Sequence, residues 1–369
     1  MTASHAPVLA SPPRRVAVIC TRRLGDVLLL TPLLRSIRHA WPQAQIDAIV
    51  FASTAAALAG NPDVSNVVSV ADHGASSEKW KLLRLIFRRY DLAIAANFSD
   101  RTHILAFFAA SRRIGILPPP GESGRTWKRA LSWRSVTQDW GRAHVVEQYL
   151  RLADVLKIPR VPTLVPPRMP LSGAIASTVL GNYAVVHPSP MYAYKGWTTE
   201  GWRALIRRLL KEQLRVIVTG GPAEHERRFI AELLAPIADD HVHNLTGALK
   251  FPELTPLIEG ARVFIGPDTS VTHLAAATGA PTIALYGETS LITWGPWPAQ
   301  GCGDEPTPWK QTAPWQQRGN VRLIQGLAPC VPCLQEGCDR RRDSRAACLD
   351  ELPFARVWAA VSEALMTRR

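Results

Sequence analysis

The fold is indicated most clearly by the stretch Val263-Phe-Ile-Gly-Pro-Asp-Thr-Ser-Val-Thr-His-Leu-Ala-Ala-Ala-Thr-Gly-Ala-Pro-Thr-Ile-Ala-Leu-Tyr-Gly287. Its first three residues are a short apolar run that favours a strand, which Gly266-Pro267 ends. Residues 273–278 form an Ala-rich segment that favours a helix, and Gly279 is a typical helix terminator. Residues 281–286 read as another strand. The stretch therefore predicts a strand, a polar loop, a helix and a second strand.

The polar loop contains a set of candidate ligand residues, namely Asp268, Thr269, Ser270 and His273. In a parallel sheet such a loop lies at the carboxyl end of its strand, where ligands bind. The free N–H groups at the start of the following helix suit a phosphate. The alternative is an ordinary helix cap, with His273 on a half-buried helix face.

Length and charge bound the class of protein. A chain of 369 residues is long for one core, so two domains are expected. The 43 Lys and Arg outnumber the 30 Asp and Glu, which gives a net charge of +13. Such an excess suits nucleic acid, an acidic membrane surface or a phosphorylated substrate.

The chain contains no continuous apolar stretch of about 18 residues, so no membrane span is expected. Residues 1–13 lack the basic and apolar regions of a signal peptide, and we expect a disordered tail and a cytoplasmic protein. Its six cysteines are then not expected to form disulfides.

Strands alternate with helices in two halves, which predicts an α/β protein with two Rossmann-like domains and a cleft between them. We assign the first domain to residues 14–165, a Pro-rich linker to 166–181 and the second domain to 182–348. Residues 27–40 are predicted to form one helix that starts late or kinks at Pro32.

Two segments are predicted to be irregular. Residues 111–142 are interpreted as loop-rich and basic, and they contain Arg112 and Arg113. Residues 294–315 are rich in Pro and Trp and are interpreted as a long surface loop near the cleft.

The first strand is followed by Arg23-Leu-Gly-Asp26, in which Asp26 falls at a helix start. A carboxylate at that place could act as a general base toward a sugar hydroxyl, although its position alone favours a helix-capping role. The chain has neither a G-x-G-x-x-G sequence in this turn nor a P-loop, which argues against a typical dinucleotide enzyme and a P-loop kinase.

Two further loops follow strands in the second half. The segment His187-Pro-Ser-Pro-Met-Tyr-Ala-Tyr-Lys-Gly-Trp197 offers Ser189 and Lys195, and that lysine could neutralise a diphosphate rather than merely be solvated. In Thr219-Gly-Gly-Pro-Ala-Glu224, Gly220 would let the backbone approach a ligand and Glu224 could accept from ribose hydroxyls. The simpler interpretation is a strand-to-helix turn with Glu224 in the first helical turn.

Four late cysteines have the spacing C-x2-C-x4-C-x9-C, at Cys330, Cys333, Cys338 and Cys348. The spacing is compatible with a structural zinc or with reduced thiols that pack a loop. Residues 78–90 are basic and amphipathic, and they fit either contact with an anionic membrane or an outer helix with a solvated basic face.

Taken together, these motifs resemble glycosyltransferase family 9, the lipopolysaccharide heptosyltransferases. The matching pieces occur in the family order: Arg23-Leu-Gly-Asp-Val-Leu-Leu-Leu-Thr-Pro-Leu-Leu-Arg35, His187-Pro-Ser-Pro, Lys195-Gly-Trp197, Thr219-Gly-Gly-Pro with Glu224, Asn244-Leu-Thr-Gly247, Gly266-Pro-Asp-Thr-Ser-Val-Thr-His273, and Tyr286-Gly with Trp294-Gly-Pro296. One departure is Ser270, where the family often has Gly, and it bears on how the donor is held. The late cysteine cluster also looks like one seen in part of the family.

The resemblance implies a GT-B fold, inversion at the sugar and no catalytic metal or other cofactor, which leaves zinc only a structural role. The first domain would hold an anionic lipopolysaccharide core acceptor, the second would hold ADP-heptose, and a helix in residues 349–369 would cross back onto the first domain. By position, Asp26 would be the base and Lys195 would neutralise the leaving diphosphate. The remaining donor contacts implied are Ser189, Gly220, Glu224, Asp268, Thr269, Ser270 and His273. Candidates for the anionic acceptor are Arg23, Arg112 and Arg113.

Two other functions stay open at this point: a family member with another nucleotide-sugar donor, and a non-catalytic phosphoglycan-binding protein. No RNA-binding aromatic signature accompanies the basic segments, so nucleic acid is not an expected partner. The expected place of action is the cytoplasm, with peripheral contact to the inner membrane as an open alternative.

Overall fold

The protein separates into two compact units, residues Met1–Pro167 and Arg168–Arg369. The structure is a computed structural model, and it describes residues 11–72, 76–179, 181–303 and 305–367. The division falls inside the expected linker 166–181, and part of that segment, Gly173–Thr178, is a short helix. The expected tail, residues 1–13, lies largely outside the described residues.

The first unit is built on a parallel sheet. Its strands are β1 (Arg15–Cys20), β2 (Gln45–Phe51), β3 (Asn66–Val70), β4 (Tyr90–Ala95), β5 (Ala110–Leu117) and β6 (Arg134–Thr137). Its helices are α1 (Leu24–Leu29), α2 (Thr31–Ala40), α3 (Ser76–Ile86), α4 (Asp100–Ala109), α5 (Arg125–Leu131) and α6 (Val145–Leu156), with a 3₁₀ helix at Ala52–Leu58. The strand order is β3-β2-β1-β4-β5-β6, which is the Rossmann order. The switch point, at which successive strands begin to be added on the other side of β1, lies between β1 and β4.

Two local expectations for the first unit are corrected. The single helix expected over 27–40 is two helices, α1 and α2, which meet at Leu30. Pro32 lies in the first turn of α2, where its missing N–H breaks no helical hydrogen bond. The segment 111–142 is not mainly loop, because it contains most of β5 together with α5 and β6.

The second unit repeats the same architecture. Its strands are β7 (Tyr183–Val186), β8 (Arg215–Val218), β9 (Val242–Asn244), β10 (Val263–Pro267), β11 (Thr282–Tyr286), β12 (Trp315–Arg318) and β13 (Val321–Gln325). Its helices are α7 (Gly173–Thr178), α8 (Thr199–Lys211), α9 (Glu224–Leu234), α10 (Leu254–Glu259), α11 (Ser270–Thr278), α12 (Leu291–Trp294), α13 (Ala347–Asp350) and α14 (Phe354–Met366), with 3₁₀ helices at Ala193–Lys195 and Phe251–Glu253.

The sheet of the second unit has the order β12-β13-β11-β10-β7-β8-β9. Only β12 runs antiparallel, at the edge beside β13. The six parallel strands again follow the Rossmann order, and here the switch point of the strand order lies between the parallel neighbours β7 and β10. The central strands are buried along their whole length, as expected for a parallel sheet covered on both faces. The predicted α/β class with two Rossmann-like domains is confirmed.

The predicted strand–loop–helix–strand stretch is confirmed as β10, α11 and β11. Helix α11 begins at Ser270, because the Thr269 hydroxyl caps it by accepting from the N–H of Thr272. It ends at Gly279, whose φ of +81° is left-handed and is cheap only for glycine.

The C-terminal helix α14 packs on the core of the second unit. Val357 and Val361 are fully buried there, in one cluster with strands β7, β8 and β10. The expected contact of residues 349–369 with the first domain stays a prediction. Among the described residues, no helix combines the length and apolarity needed to cross a bilayer.

The Trp-rich segment 294–315 is not simply a surface loop. Trp297 and Trp309 are both buried, and the Trp309 indole N–H donates to the Pro296 carbonyl at 3.0 Å. Gly295 makes room for this ring, because a Cβ there would lie 2.2 Å from Trp309. The parts of the segment around Trp297 and Trp309 are therefore packed into the second unit, whereas Trp315 at its end is 64% exposed.

We predict that Gly326→Ala destabilises the second unit. A Cβ at Gly326 would lie 2.2 Å from the carbonyl oxygen of Cys348, which is backbone and cannot rotate away. Overpacking of this kind costs about 1–3 kcal/mol, so the thermal midpoint should fall by several degrees. Gly173→Ala is the matched control, because a Cβ there meets nothing within 4 Å. Equal midpoints for the two variants would contradict the packing described here.

Candidate active site

A lysine and an aspartate lie in contact at the switch point of the strand order in the second unit. Lys195 ends the 3₁₀ helix in the loop after β7, and Asp268 directly follows β10. Because β7 and β10 are neighbouring parallel strands, both loops emerge at the same edge. Lys195 Nζ lies 2.5 Å from Asp268 Oδ2, and the two side chains are only 21% and 9% exposed. The structure thus joins two residues that the sequence identified separately.

Charge compensation keeps this pair ionised. Burial opposes the negative charge of Asp268, but Lys195, His273 and hydrogen bonds from Lys195 and Thr289 outweigh it and lower its pKa. Burial likewise opposes the positive charge of Lys195, yet the Asp268 carboxylate raises the pKa of the lysine. Lys195 is therefore a permanent cation whose charge is shared with one carboxylate.

Glu288, after β11, is a third charged residue of this cluster, and the sequence analysis missed it. The Thr289 hydroxyl lies 2.7 Å from Asp268 Oδ2 and 3.0 Å from Glu288 Oε1. Glu288 is only 4% exposed, and burial together with the nearby Asp268 carboxylate raises its pKa to about 7. The cluster of Lys195, Asp268 and Glu288 therefore changes its net charge near neutral pH.

The start of α11 adds backbone donors to this charged cluster. The N–H groups in the first turn of a helix have no partner within the helix, and they favour an anion. Ser270 is half-buried in that turn, and its side chain is small enough for a close approach. His273 is buried on the next turn and contributes positive potential at Asp268.

Ser189 and His187 follow β7 and are both buried. His187 Nδ1 lies 3.0 Å from the Thr219 hydroxyl, which ties the loop after β7 to the loop after β8. Burial lowers the pKa of His187 to about 4, so its imidazole is neutral at physiological pH. It positions a loop and adds no charge.

The Gly-Gly turn after β8 differs in detail from the expectation. A Cβ on Gly220 would lie 2.5 Å from Ile230, so this glycine lets α9 pack closely on β8. The carboxylate that binds the turn is Glu226, which accepts from the Gly221 N–H at 2.8 Å. Glu224, the predicted ribose ligand, is exposed at the first position of α9.

Asp26 lies at the corresponding place in the first unit, in the helix after β1 and beside the switch point. It is buried, and the Arg22 guanidinium donates to its carboxylate at 3.2 Å. Cys20 and Tyr149 adjoin it. Burial and then the Asp26 carboxylate raise the pKa of Cys20, and burial, then Cys20 and then Asp26 raise the pKa of Tyr149. Asp26 therefore lies beside the Arg22 guanidinium and beside the side chains of Cys20 and Tyr149, which stay protonated.

The three acceptor candidates do not share one location. Arg23 is exposed and adjoins α1, close to Asp26 in the chain. Arg112 pairs in register with Leu92, and Leu92 pairs with Val16 near the amino end of β1. Asp26 follows the carboxyl end of β1, at the opposite edge of the sheet.

Arg112 and Arg113 therefore lie at the edge opposite to Asp26, which does not favour the expectation that they bind the acceptor together with Arg23. Arg113 donates to the carbonyls of Ala110 and Leu131 at 2.8 and 2.6 Å, so it holds the local chain together. The sequence analysis placed both arginines in a loop and so overlooked the direction of strand β5.

Other cations follow the carboxyl ends of the strands in the first unit. Lys128 on α5 is buried and pairs with Asp100, at the start of α4, at 2.6 Å. Arg101 begins the same helix and lies over the Phe51 ring at 4.9 Å. These residues lie at the same edge of the sheet as Asp26. The sequence indicates this place only through the fact that each residue follows a strand.

The comparison with known sequences identifies the family. A sequence profile described as glycosyltransferase family 9 (heptosyltransferase) matches residues 80–303.

The chain belongs to glycosyltransferase family 9.

Curated relatives in this family match most of the chain. Lipopolysaccharide heptosyltransferase 3 of Escherichia coli K12 is 28% identical over 293 residues, which cover 74% of this chain and 82% of the relative. Lipopolysaccharide heptosyltransferase 1 of Pseudomonas aeruginosa is 27% identical over 339 residues, covering 88% and 87%.

The family fold is shared with solved structures. E. coli ADP-heptose lipopolysaccharide heptosyltransferase II has a TM-score of 0.70 and 20% identity, and the match covers 96% of this chain and 99% of that one. At this identity the likeness shows the fold alone, and it confirms the predicted GT-B type.

The cysteines do not form a metal site in the described part of this family member. Burial, the Glu288 carboxylate and then the Cys333, Cys330 and Cys338 thiols raise the pKa of Cys348 to about 12, so the four thiols share one neighbourhood. Cys348 is buried, whereas Cys330 and Cys338 are exposed. Within the described residues, no three His, Cys, Asp or Glu side chains are arranged to hold a metal ion. The donor set suits zinc but the arrangement does not, so the zinc prediction has no support.

Proposed function

We propose that this protein transfers heptose from ADP-heptose to the inner core of lipopolysaccharide, with inversion at the anomeric carbon. Support comes from membership of a heptosyltransferase family and from relatives named lipopolysaccharide heptosyltransferases. In the reaction, the acceptor oxygen forms a bond to the anomeric carbon and the bond from that carbon to the diphosphate oxygen breaks. ADP leaves, and the acceptor proton passes to a base.

The observation that carries the proposal is the Lys195–Asp268 pair at the switch point of the second unit. Lys195 would exchange part of its contact with Asp268 for the diphosphate and neutralise its developing charge. The N–H groups that start α11 would bind the same phosphates. Asp268 would in turn accept from a hydroxyl group of the donor sugar.

The other donor contacts follow from position. Thr269, Ser270 and His273 line the start of α11, and Ser189 lies in the loop after β7. Exposed Glu224 is free to accept from ribose hydroxyls, next to the turn that Gly220 makes possible. The family acts without a catalytic cofactor, and we assign none to this reaction.

We assign the general base to Asp26. A buried carboxylate that contacts the Arg22 guanidinium can accept the proton of an acceptor hydroxyl. Arg22, Arg23, Arg101 and Lys128 are the cations that would meet phosphates or carboxylates of the core acceptor. They replace Arg112 and Arg113 in that role.

The direct test is incubation of the purified protein with ADP-heptose and a heptose-deficient lipopolysaccharide core. The expected result is ADP release together with an acceptor mass that rises by one heptose. Transfer from a different nucleotide sugar in preference to ADP-heptose would move the protein to the alternative donor. Donor or acceptor binding without any transfer would favour a phosphoglycan-binding protein. We further propose that the reaction takes place on the cytoplasmic side of the inner membrane, where a lipid-linked acceptor would be available.

Asp26→Asn tests the base. The variant should keep the fold and its ADP affinity, and turnover should fall by ~10²–10⁴-fold, because the amide cannot take the proton. Steady-state kinetics and calorimetry with ADP measure the two quantities. If turnover stays near the wild-type rate, Asp26 belongs to the structure of α1 and not to the chemistry.

Lys195→Ala tests the charge that meets the diphosphate. ADP affinity should fall by about 10- to 100-fold, since a hydrogen bond to a charged group contributes about 1.5–3 kcal/mol. Turnover should fall as well. Lys211→Ala is the control, because Lys211 is exposed at the end of α8. Unchanged ADP affinity in Lys195→Ala would remove this lysine from the donor site.

Glu288 predicts a pH dependence of donor binding. Its pKa is raised to about 7, so below that pH it is neutral and above it a second carboxylate faces the diphosphate beside Asp268. ADP affinity of the wild type should therefore weaken as the pH rises from about 6 to about 8, by up to about tenfold for each unit by which ADP shifts this pKa. Glu288→Gln should bind ADP with a flatter pH profile, and the wild-type-to-variant ratio cancels the titration of ADP itself. Parallel profiles for the two proteins would exclude Glu288 from the effect.

A further inference from the structure

Helix α3 of the first unit presents large apolar side chains to solvent. Trp80, Leu85 and Phe87, the last just past the helix end, are 64%, 51% and 59% exposed. Trp80 and Arg84 are four residues apart on one face of α3, and Leu85 and Phe87 follow them in the chain. Three large apolar groups on one short segment are more than the scattered exposure usual on a protein surface.

The inward face of the same helix packs against the hydrophobic core of the first unit. Ile86 is fully buried in the first unit's hydrophobic cluster, and Leu82 and Leu83 pack against that cluster. The outward residues are therefore not needed to attach α3 to the sheet. Their exposure calls for a reason other than folding.

Basic residues alternate with these apolar groups. Lys81, Arg84, Arg88 and Arg89 are all exposed. The Arg88 guanidinium lies 5.9 Å from the Phe87 ring centre and belongs to the same surface. Aromatic and leucine side chains combined with Lys and Arg are typical of segments that lie at a membrane interface.

A small pocket adjoins the end of the helix. Its volume is 280 Å³, and it is lined by Arg88, Tyr90, Asp91, Ser111 and Arg112. Arg88 donates to the Ser111 hydroxyl at 3.1 Å, while Asp91 Oδ2 accepts from two backbone N–H groups at 2.8 and 2.9 Å. The lining contains two arginines and one carboxylate, so its net charge is positive.

We propose that this surface binds an anionic phospholipid membrane. The basic-aromatic surface consists of Trp80, Lys81, Arg84, Leu85, Phe87, Arg88, Arg89 and Arg112. Trp80, Leu85 and Phe87 enter the interface between headgroups and acyl chains, and the cations meet lipid phosphates. Arg88, Arg112 and Ser111 bind one headgroup phosphate in the pocket.

Charge identifies the occupant. A second copy placed symmetrically on this surface would bring like cations against one another, which opposes association. An anionic bilayer matches both the charge and the apolar groups. The inference names the surface for the inner-membrane location proposed above, and it does not depend on the transfer chemistry, because vesicle binding is measured without sugar substrates.

Co-sedimentation of the full chain with vesicles tests the proposal. The protein should bind vesicles of phosphatidylcholine with added phosphatidylglycerol, bind phosphatidylcholine alone weakly, and lose affinity with added salt. The double variant Arg84→Gln/Arg88→Gln should lose about fivefold in affinity for each removed charge. Trp80→Ser/Phe87→Ser should also weaken binding while leaving the salt dependence in place.

Matched controls come from the second unit. Trp315→Ser removes a tryptophan that is equally exposed at 64%, and Arg228→Gln removes a cation exposed on α9. Both should bind vesicles like the wild type, and an unchanged thermal midpoint shows that every variant is folded. A wild type that does not prefer anionic vesicles, or controls that lose as much affinity as the surface variants, would overturn the proposal. Wild-type dimers that dissociate in the surface variants would instead assign the surface to a second copy.

Discussion

The candidate donor site depends on the mutual compensation of two buried opposite charges. Lys195 and Asp268 each lose hydration in the fold, and each keeps its charge chiefly because the other is 2.5 Å away. A buried pair of this kind adds little net stability, since desolvation cancels much of the attraction. In the proposed reaction its value is functional, because a lysine held charged and partly buried can change partner from a carboxylate to a phosphate. The strand order makes this contact possible, because β7 and β10 are adjacent and their following loops therefore lie side by side.

Much of this arrangement could be predicted from the sequence, because each part has a local signal. An apolar strand, a polar loop and an Ala-rich segment stopped by Gly279 predict β10 and α11, although the helix begins at Ser270, three residues before the predicted segment. Repeated alternation predicts two Rossmann-like units. Asp26 and Asp268 each follow a strand, which places them at ligand-binding edges. That Lys195 pairs with Asp268 has no local signal, since 73 residues separate them.

The misses have physical causes of the same kind. Arg112 and Arg113 were expected to meet the acceptor with Arg23, but strand direction decides which edge of a sheet a residue occupies, and β5 begins at the edge opposite to Asp26. Four cysteines have metal-like spacing, yet the spacing says nothing about burial, and here Cys348 is buried while Cys330 is exposed. Glu288 follows Tyr286-Gly in a turn that the sequence marks only as a strand end. Its significance arises from neighbours that the fold supplies.

The protonation state of Glu288 sets the net charge of the Lys195, Asp268 and Glu288 cluster and so affects ligand binding. With Glu288 protonated, Lys195 and Asp268 balance, and an incoming diphosphate meets a lysine without excess negative charge. With Glu288 ionised, the cluster carries one net negative charge before the ligand arrives, and Thr289, within reach of both carboxylates, can donate its single proton to only one at a time. Binding of an anion would then favour the protonated acid, because the two negative charges repel in a buried site. The carboxyl of Glu288 is therefore best understood as a proton-binding partner of the donor site, linked through Thr289 to the Lys195–Asp268 pair.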